Sequence, residues 1–112
     1  MSQATAVMIV EISVAEQDDA EVNDWYTNVH LPELCSLPGV RSARRFAIFG
    51  EKFRYLAIYE LDDVGVVESE AYKVWRAKSD DTTRMAAKFA SFERTLATKI
   101  AEAVASASTR PE

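Results

Sequence analysis

A single cysteine and a single histidine occur in 112 residues, with only three glycines and three prolines. The lone cysteine, Cys35, cannot close an internal disulfide and has no cysteine partner for a zinc knuckle. Its expected place is that of a small buried apolar residue. One histidine among scattered acids lacks the clustered ligands of zinc or iron sites, so no metal is expected. There is no Gly-rich phosphate loop and no serine, histidine and aspartate arrangement, which leaves no basis for a nucleotide cofactor or a nucleophilic triad. No run approaches the roughly 18 apolar residues of a membrane span, and the N-terminus has neither a basic stretch nor an apolar signal core. The expectation is a cytoplasmic protein without a membrane partner.

What is present is 48% hydrophobic residues, enough for one core at this length, and a net charge of −5. That balance argues against binding nucleic acid through phosphate neutralisation. The distribution is uneven: residues 1–40 hold seven acids and no Lys or Arg, whereas Arg41, Arg44, Arg45, Lys52 and Arg54 follow with only Glu51 among them. Arginine near a cavity would favour an anionic ligand; arginine on a hairpin surface would simply be solvated.

Ala6–Val14, AVMIVEISV, reads as a strand apolar on both faces. Asp18 and Glu21 form a capping-box pattern, and Val22, Tyr26, Val29 and Leu34 recur at helical spacing, which starts a first helix near Asp19. Pro32 removes the N–H that would bond the carbonyl of Asn28, so a kink or break beside His30 is expected. Leu37-Pro38-Gly39 then turns the chain. Val40–Phe49 and Phe53–Leu61 read as a strand hairpin with Gly50 in the connection. Val64, Val67, Ala71, Val74 and Trp75 predict a second helix running to about Ser79. The last third is ambiguous, because Met85, Phe89, Phe92, Leu96, Ile100 and Val104 also fit one long helix. A fourth strand would complete a split βαβ unit, so a helical turn at Thr82–Ala90 and a strand at Ser91–Ile100 are the preferred reading. The domain is then residues 1–100, with 101–112 a frayed tail.

The run Trp25-Tyr26-Thr27-Asn28-Val29-His30-Leu31-Pro32-Glu33-Leu34 is followed by Pro38-Gly39-Val40 and by Ala43-Arg44-Arg45-Phe46. With Tyr55–Leu61 and Phe92-Glu93-Arg94-Thr95-Leu96, it resembles the EthD-like group of dimeric α+β barrel proteins over about four fifths of the chain. The resemblance implies a ferredoxin-like α+β fold. Its four-stranded antiparallel sheet has two main helices on one face, its late motif is the fourth strand, and it pairs with a twin to close a barrel. It also implies a pocket between sheet and helices. Similar proteins include cofactor-independent monooxygenases, lactone isomerases, and decarboxylases or dehydratases of aromatic intermediates. The haem-degrading branch takes its iron ligand from a later histidine, which this chain lacks. A homodimer is expected because Leu56, Ile58 and Val10 need a second layer over the face the helices leave open.

His30 is the side chain whose ordinary pKa of about 6.5 suits proton transfer at neutral pH. It shares the Tyr26 and Leu34 face, where it is either a general acid/base or a core histidine bonded to the carbonyl freed at Pro32. In similar proteins the matching histidine faces the pocket. Trp25, Tyr26, Tyr55, Tyr59, Tyr72 and Trp75 can line a cavity for a planar ligand. Tyr55 and Tyr59 share a strand face with Ala57, which leaves room between them. Arg44 and Arg45 lie on opposite faces; Arg45 is assigned inward, to hold a carboxylate. The expected function is a cofactor-free lyase or isomerase acting on a hydroxylated aromatic or enolisable small molecule, with His30, Tyr26 and Arg45 catalytic and Trp25, Tyr55, Tyr59 and Trp75 binding substrate. The alternatives are a cofactor-free monooxygenase of the same fold and a non-catalytic carrier.

Overall fold

Alternate residues of strand β1 (Ala6–Val14), from Ala6 through Met8, Val10 and Ile12 to Val14, are buried, and those between them are half-buried. The computed structural model describes residues 4–105 of the chain. β1 lies inside a four-stranded antiparallel sheet ordered β2-β3-β1-β4, with β2 at Val40–Ala47, β3 at Arg54–Leu61 and β4 at Phe89–Thr98. Helices cover the face that carries Met8, Val10, Tyr59 and Leu61. Val10 pairs with Ala57 on that covered face, so it does not share the open face with Leu56 and Ile58 as the sequence reading placed it.

Helix α1 (Glu16–Trp25) begins at Glu16, three residues before the expected start. Its N-cap, Ala15, has no side-chain cap, and Asp18 turns instead toward Lys88, 3.9 Å away. Glu16, Asp18 and Asp19 place their negative charge in the first turn, where the helix dipole favours it. The interruption expected at Pro32 is a π-turn over Tyr26–His30, in which the N–H of Leu31 bonds the carbonyl of Tyr26. The chain stays helical into α2 (Leu31–Cys35), because the wider turn accommodates the missing proline donor without leaving helical backbone angles. Leu34 takes the inward position of α2, which leaves Cys35 exposed rather than buried. After α2, Gly39 has φ +90°, and a Cβ there would meet Val66 Cγ2 at 2.6 Å, so both the turn and the close approach require glycine.

The second helix does not run unbroken from Val64. A 3₁₀ turn at Val64–Glu68 ends at Ser69, whose extended backbone and side-chain cap on the Tyr72 N–H start α3 (Glu70–Lys78). Helix α4 (Asp80–Ala86) follows, capped by Ser79. Phe92 and Leu96 of β4 pair with Ile12 and Met8; the strand runs from Phe89 to Thr98 rather than from Ser91 to Ile100, Met85 lies in α4, and Ile100 and Val104 follow the strand. In the tail, residues 101–105 are exposed and have no regular structure, and the rest of 101–112 lies outside the described residues. No helix of the described residues is long and apolar enough to cross a membrane.

Candidate active site

Between the covered face of the sheet and α1, α3 and α4 lies a cavity of about 430 Å³. His30 is at its centre. The helical geometry of an α-helix puts residues five apart about 140° round the axis. The π-turn instead brings Trp25 and His30 together, with ring centroids 4.6 Å apart, while Tyr26 meets the same imidazole edge-on at 4.8 Å. Trp75 of α3 closes the other side at 5.7 Å, and Nδ1 of His30 makes a long 3.5 Å contact with Thr82 Oγ1 of α4. With Nδ1 turned to Thr82, Nε2 is the nitrogen left for a ligand.

Burial among these rings disfavours the imidazolium, and the charges of Arg76 and Arg45 add to the effect, so the pKa of His30 falls to about 4. The ring is therefore neutral at pH 7. An unfolded chain would protonate this histidine below its ordinary value of 6.5 while the folded one resists until about 4. Stability is thus complete above pH 6.5 and declines as the pH falls toward 4, by up to about 1.4 kcal/mol per pH unit and about 3 kcal/mol in all. Urea unfolding between pH 4 and 7 should show this slope in the wild type, and His30→Gln should lose that part of it. Equal slopes in the two proteins would mean that the ring already titrates normally in the fold.

Five of the seven residues assigned from sequence line the cavity: Trp25, Tyr26, His30, Tyr59 and Trp75. The hydroxyls of Tyr26 and Tyr59 bond each other at 3.0 Å, and burial is the main cause that raises the pKa of both. The other two do not line it. Arg45 does sit on the inner face, opposite Ala57, but its side chain is taken up outside the cavity. Its guanidinium lies over the rings of Tyr26 and Tyr55, 4.4 and 5.1 Å from their centroids, and donates to Thr27 Oγ1. Tyr55 shares the inner face, opposite Ile12, but does not line the cavity and donates to Asp19 Oδ1 at 2.5 Å. Arg44 lies on the opposite face, 3.4 Å from Glu60.

The sequence reading missed Arg76, Thr82, Phe92 and Arg94, which also line the cavity. Arg94 alternates with Phe92 and Leu96 along β4 and was findable once that segment was read as a strand; Thr82 carried no signal beyond its place near a helix start. Among the described residues, no group of three or more His, Cys, Asp or Glu converges.

No family model and no curated protein matches this chain. Its backbone is similar to that of several solved structures. One is a dimeric ferredoxin-like protein from an uncultured marine organism, with TM-score 0.72 and 10% identity over 92% of this chain and 94% of the other. A second is the ActVA-Orf6 monooxygenase of Streptomyces coelicolor in complex with nanaomycin D, with TM-score 0.74 and 11% identity over 93% and 95%. A third is SnoaB, a cofactor-independent oxygenase from Streptomyces nogalater, with TM-score 0.67 and 14% identity over 88% and 96%. At these identities the likeness is one of fold, and the chain has the four-stranded ferredoxin-like α+β architecture that these oxygenases share.

Proposed function

We propose that this protein is a homodimeric, cofactor-independent monooxygenase acting on a hydroxylated aromatic small molecule. The observation that carries the reading is a neutral, buried imidazole held between two indoles in a cavity of about 430 Å³. That size is in the range of small-ligand sites, and the walls suit a planar ring system. Monooxygenases among the similar folds favour oxygenation over the lyase or isomerase outcome. The helix-one histidine, its following proline and the Pro-Gly-Val turn support the EthD-like group as the nearer kin.

In this mechanism Nε2 of His30 takes the proton of a phenolic hydroxyl. The desolvation that keeps the ring neutral in the empty cavity is offset once a phenolate forms beside it, since the ion pair favours the imidazolium. The electron-rich ring carbon then reduces and bonds dioxygen. Cleavage of the O–O bond leaves one oxygen on carbon as a quinone carbonyl and releases the other as water, using protons from the ring carbon and from His30. The substrate supplies all four electrons, so phenol plus O₂ gives quinone plus water. Binding and orientation fall to Trp25, Trp75 and Tyr59, which fix the ring against the imidazole.

Oxygen-electrode measurements on a panel of naphthols and hydroxyanthracenes, with ¹⁸O₂ and product mass, test this. One O₂ consumed and one labelled oxygen retained per turnover are expected. Product formed equally under argon would replace oxygenation with the lyase or isomerase reading, and binding without product would leave a carrier.

A further inference from the structure

We propose that the substrate of this cavity is an aromatic carboxylate, its ring system seated among the indoles and its anionic group held at the cavity mouth by Arg76 and Arg94. The inference rests on the reading of the cavity as the substrate site. The residues lining its depth, among them Trp25, His30, Tyr59 and Thr82, are buried. Arg76, Phe92 and Arg94 are exposed, so they mark the end that opens to solvent. No Asp or Glu lines the cavity, although the chain as a whole carries a net charge of −5.

The arginines themselves differ in how they are satisfied. Among the described residues, Arg41, Arg44, Arg54 and Arg84 each meet a carboxylate. Arg45 lies over two tyrosine rings instead. Arg76 and Arg94 enter no ion pair among the described residues; Arg76 donates to the neutral Thr83 Oγ1 at 3.1 Å. Two guanidinium groups on one cavity without a counter-charge raise the local potential, and a ligand carboxylate would relieve it.

Isothermal titration calorimetry with 3-hydroxy-2-naphthoate and its methyl ester separates charge from shape, because the two differ only in the anion. The acid should bind about 5- to 10-fold more tightly at low salt, as expected for a solvent-accessible charge pair. The difference should shrink at about 0.5 M salt. In Arg76→Gln/Arg94→Gln the acid and ester should become equal. Ala86→Trp, which places an indole in the cavity, should abolish binding of both while circular dichroism shows the fold retained. Equal wild-type affinities, with Ala86→Trp still blocking both, would overturn the carboxylate and leave the cavity reading standing. Binding of neither probe, or binding that survives Ala86→Trp, would remove the cavity as the site and the carboxylate with it.

Discussion

His30→Ala is expected to lower turnover by about a hundred- to ten-thousand-fold while the protein remains folded and dimeric. It is the only histidine in the chain, and no neighbouring group can take its place near pH 7. Burial raises the pKa of the hydroxyls of Tyr26 and Tyr59, which moves both further from acting as bases at that pH. The other polar groups of the lining are Tyr72, two tryptophans, two arginines and a threonine, and none of them is an imidazole or a carboxylate. A histidine kept only for packing behaves differently: its removal lowers the melting temperature but leaves the folded fraction active. Measuring kcat and thermal stability on one preparation separates the two. A folded variant with near wild-type turnover would take His30 out of the mechanism and leave the tyrosine pair, Tyr26 and Tyr59, as the groups to test.

Ile9→Asp is expected to convert the proposed dimer to a monomer, raising its dissociation constant by at least about a thousandfold. Ile9 lies on the sheet face without helices, opposite Ile58 on one side and Thr95 on the other. Leu56 and Phe46 lie on the same face, Phe46 46% exposed, and Glu11, Arg44, Arg54 and Glu60 share it. A two-fold interface repeats every contact, so one substitution places two carboxylates in it. If each costs about 2 kcal/mol of uncompensated burial, the sum reaches the thousandfold change. No arginine pairs directly opposite position 9, and Arg44, one strand further on opposite Ile58, already meets Glu60. The helix-covered core of Met8, Val10 and Ile12 is untouched, and the monomer should keep its circular dichroism. Sedimentation of the two proteins at micromolar concentration checks this; a wild-type monomer would sink the barrel.

β1 was legible as a β-branched run of strand length apolar on both faces, and the hairpin as two strand-like runs joined at Gly50. β4 was harder: Phe92, Leu96 and Ile100 are four apart, which suits a helix face and one face of a strand equally. What decides it is β1, whose second edge would otherwise leave a row of buried backbone donors and acceptors unpaired. Within the site, Trp25, Tyr26 and His30 were visible as residue types. Their mutual stacking was not, because a turn that joins residues five apart lies outside the periodicities used to read helices. For Arg45, alternation said only that it and Arg44 face opposite ways, and could not tell that the guanidinium would lie over the rings of Tyr26 and Tyr55. Arg76 follows Trp75 on an exposed helix, where nothing local distinguishes it from a solvated arginine.

The π-turn at Tyr26–His30 amounts to one residue more than an α-helix needs between Trp25 and Pro32. Removing that surplus, by deleting Thr27 or Asn28, would restore a standard hydrogen-bond ladder upstream. It would leave Trp25 and His30 four residues apart, about 40° round the axis of a regular helix, so the two rings would keep to one face. With the residue kept, a regular helix would instead set them about 140° apart. Chain length and helix type are therefore matched in this stretch: at its present length, only the wider turn puts the base and the indole in one cavity.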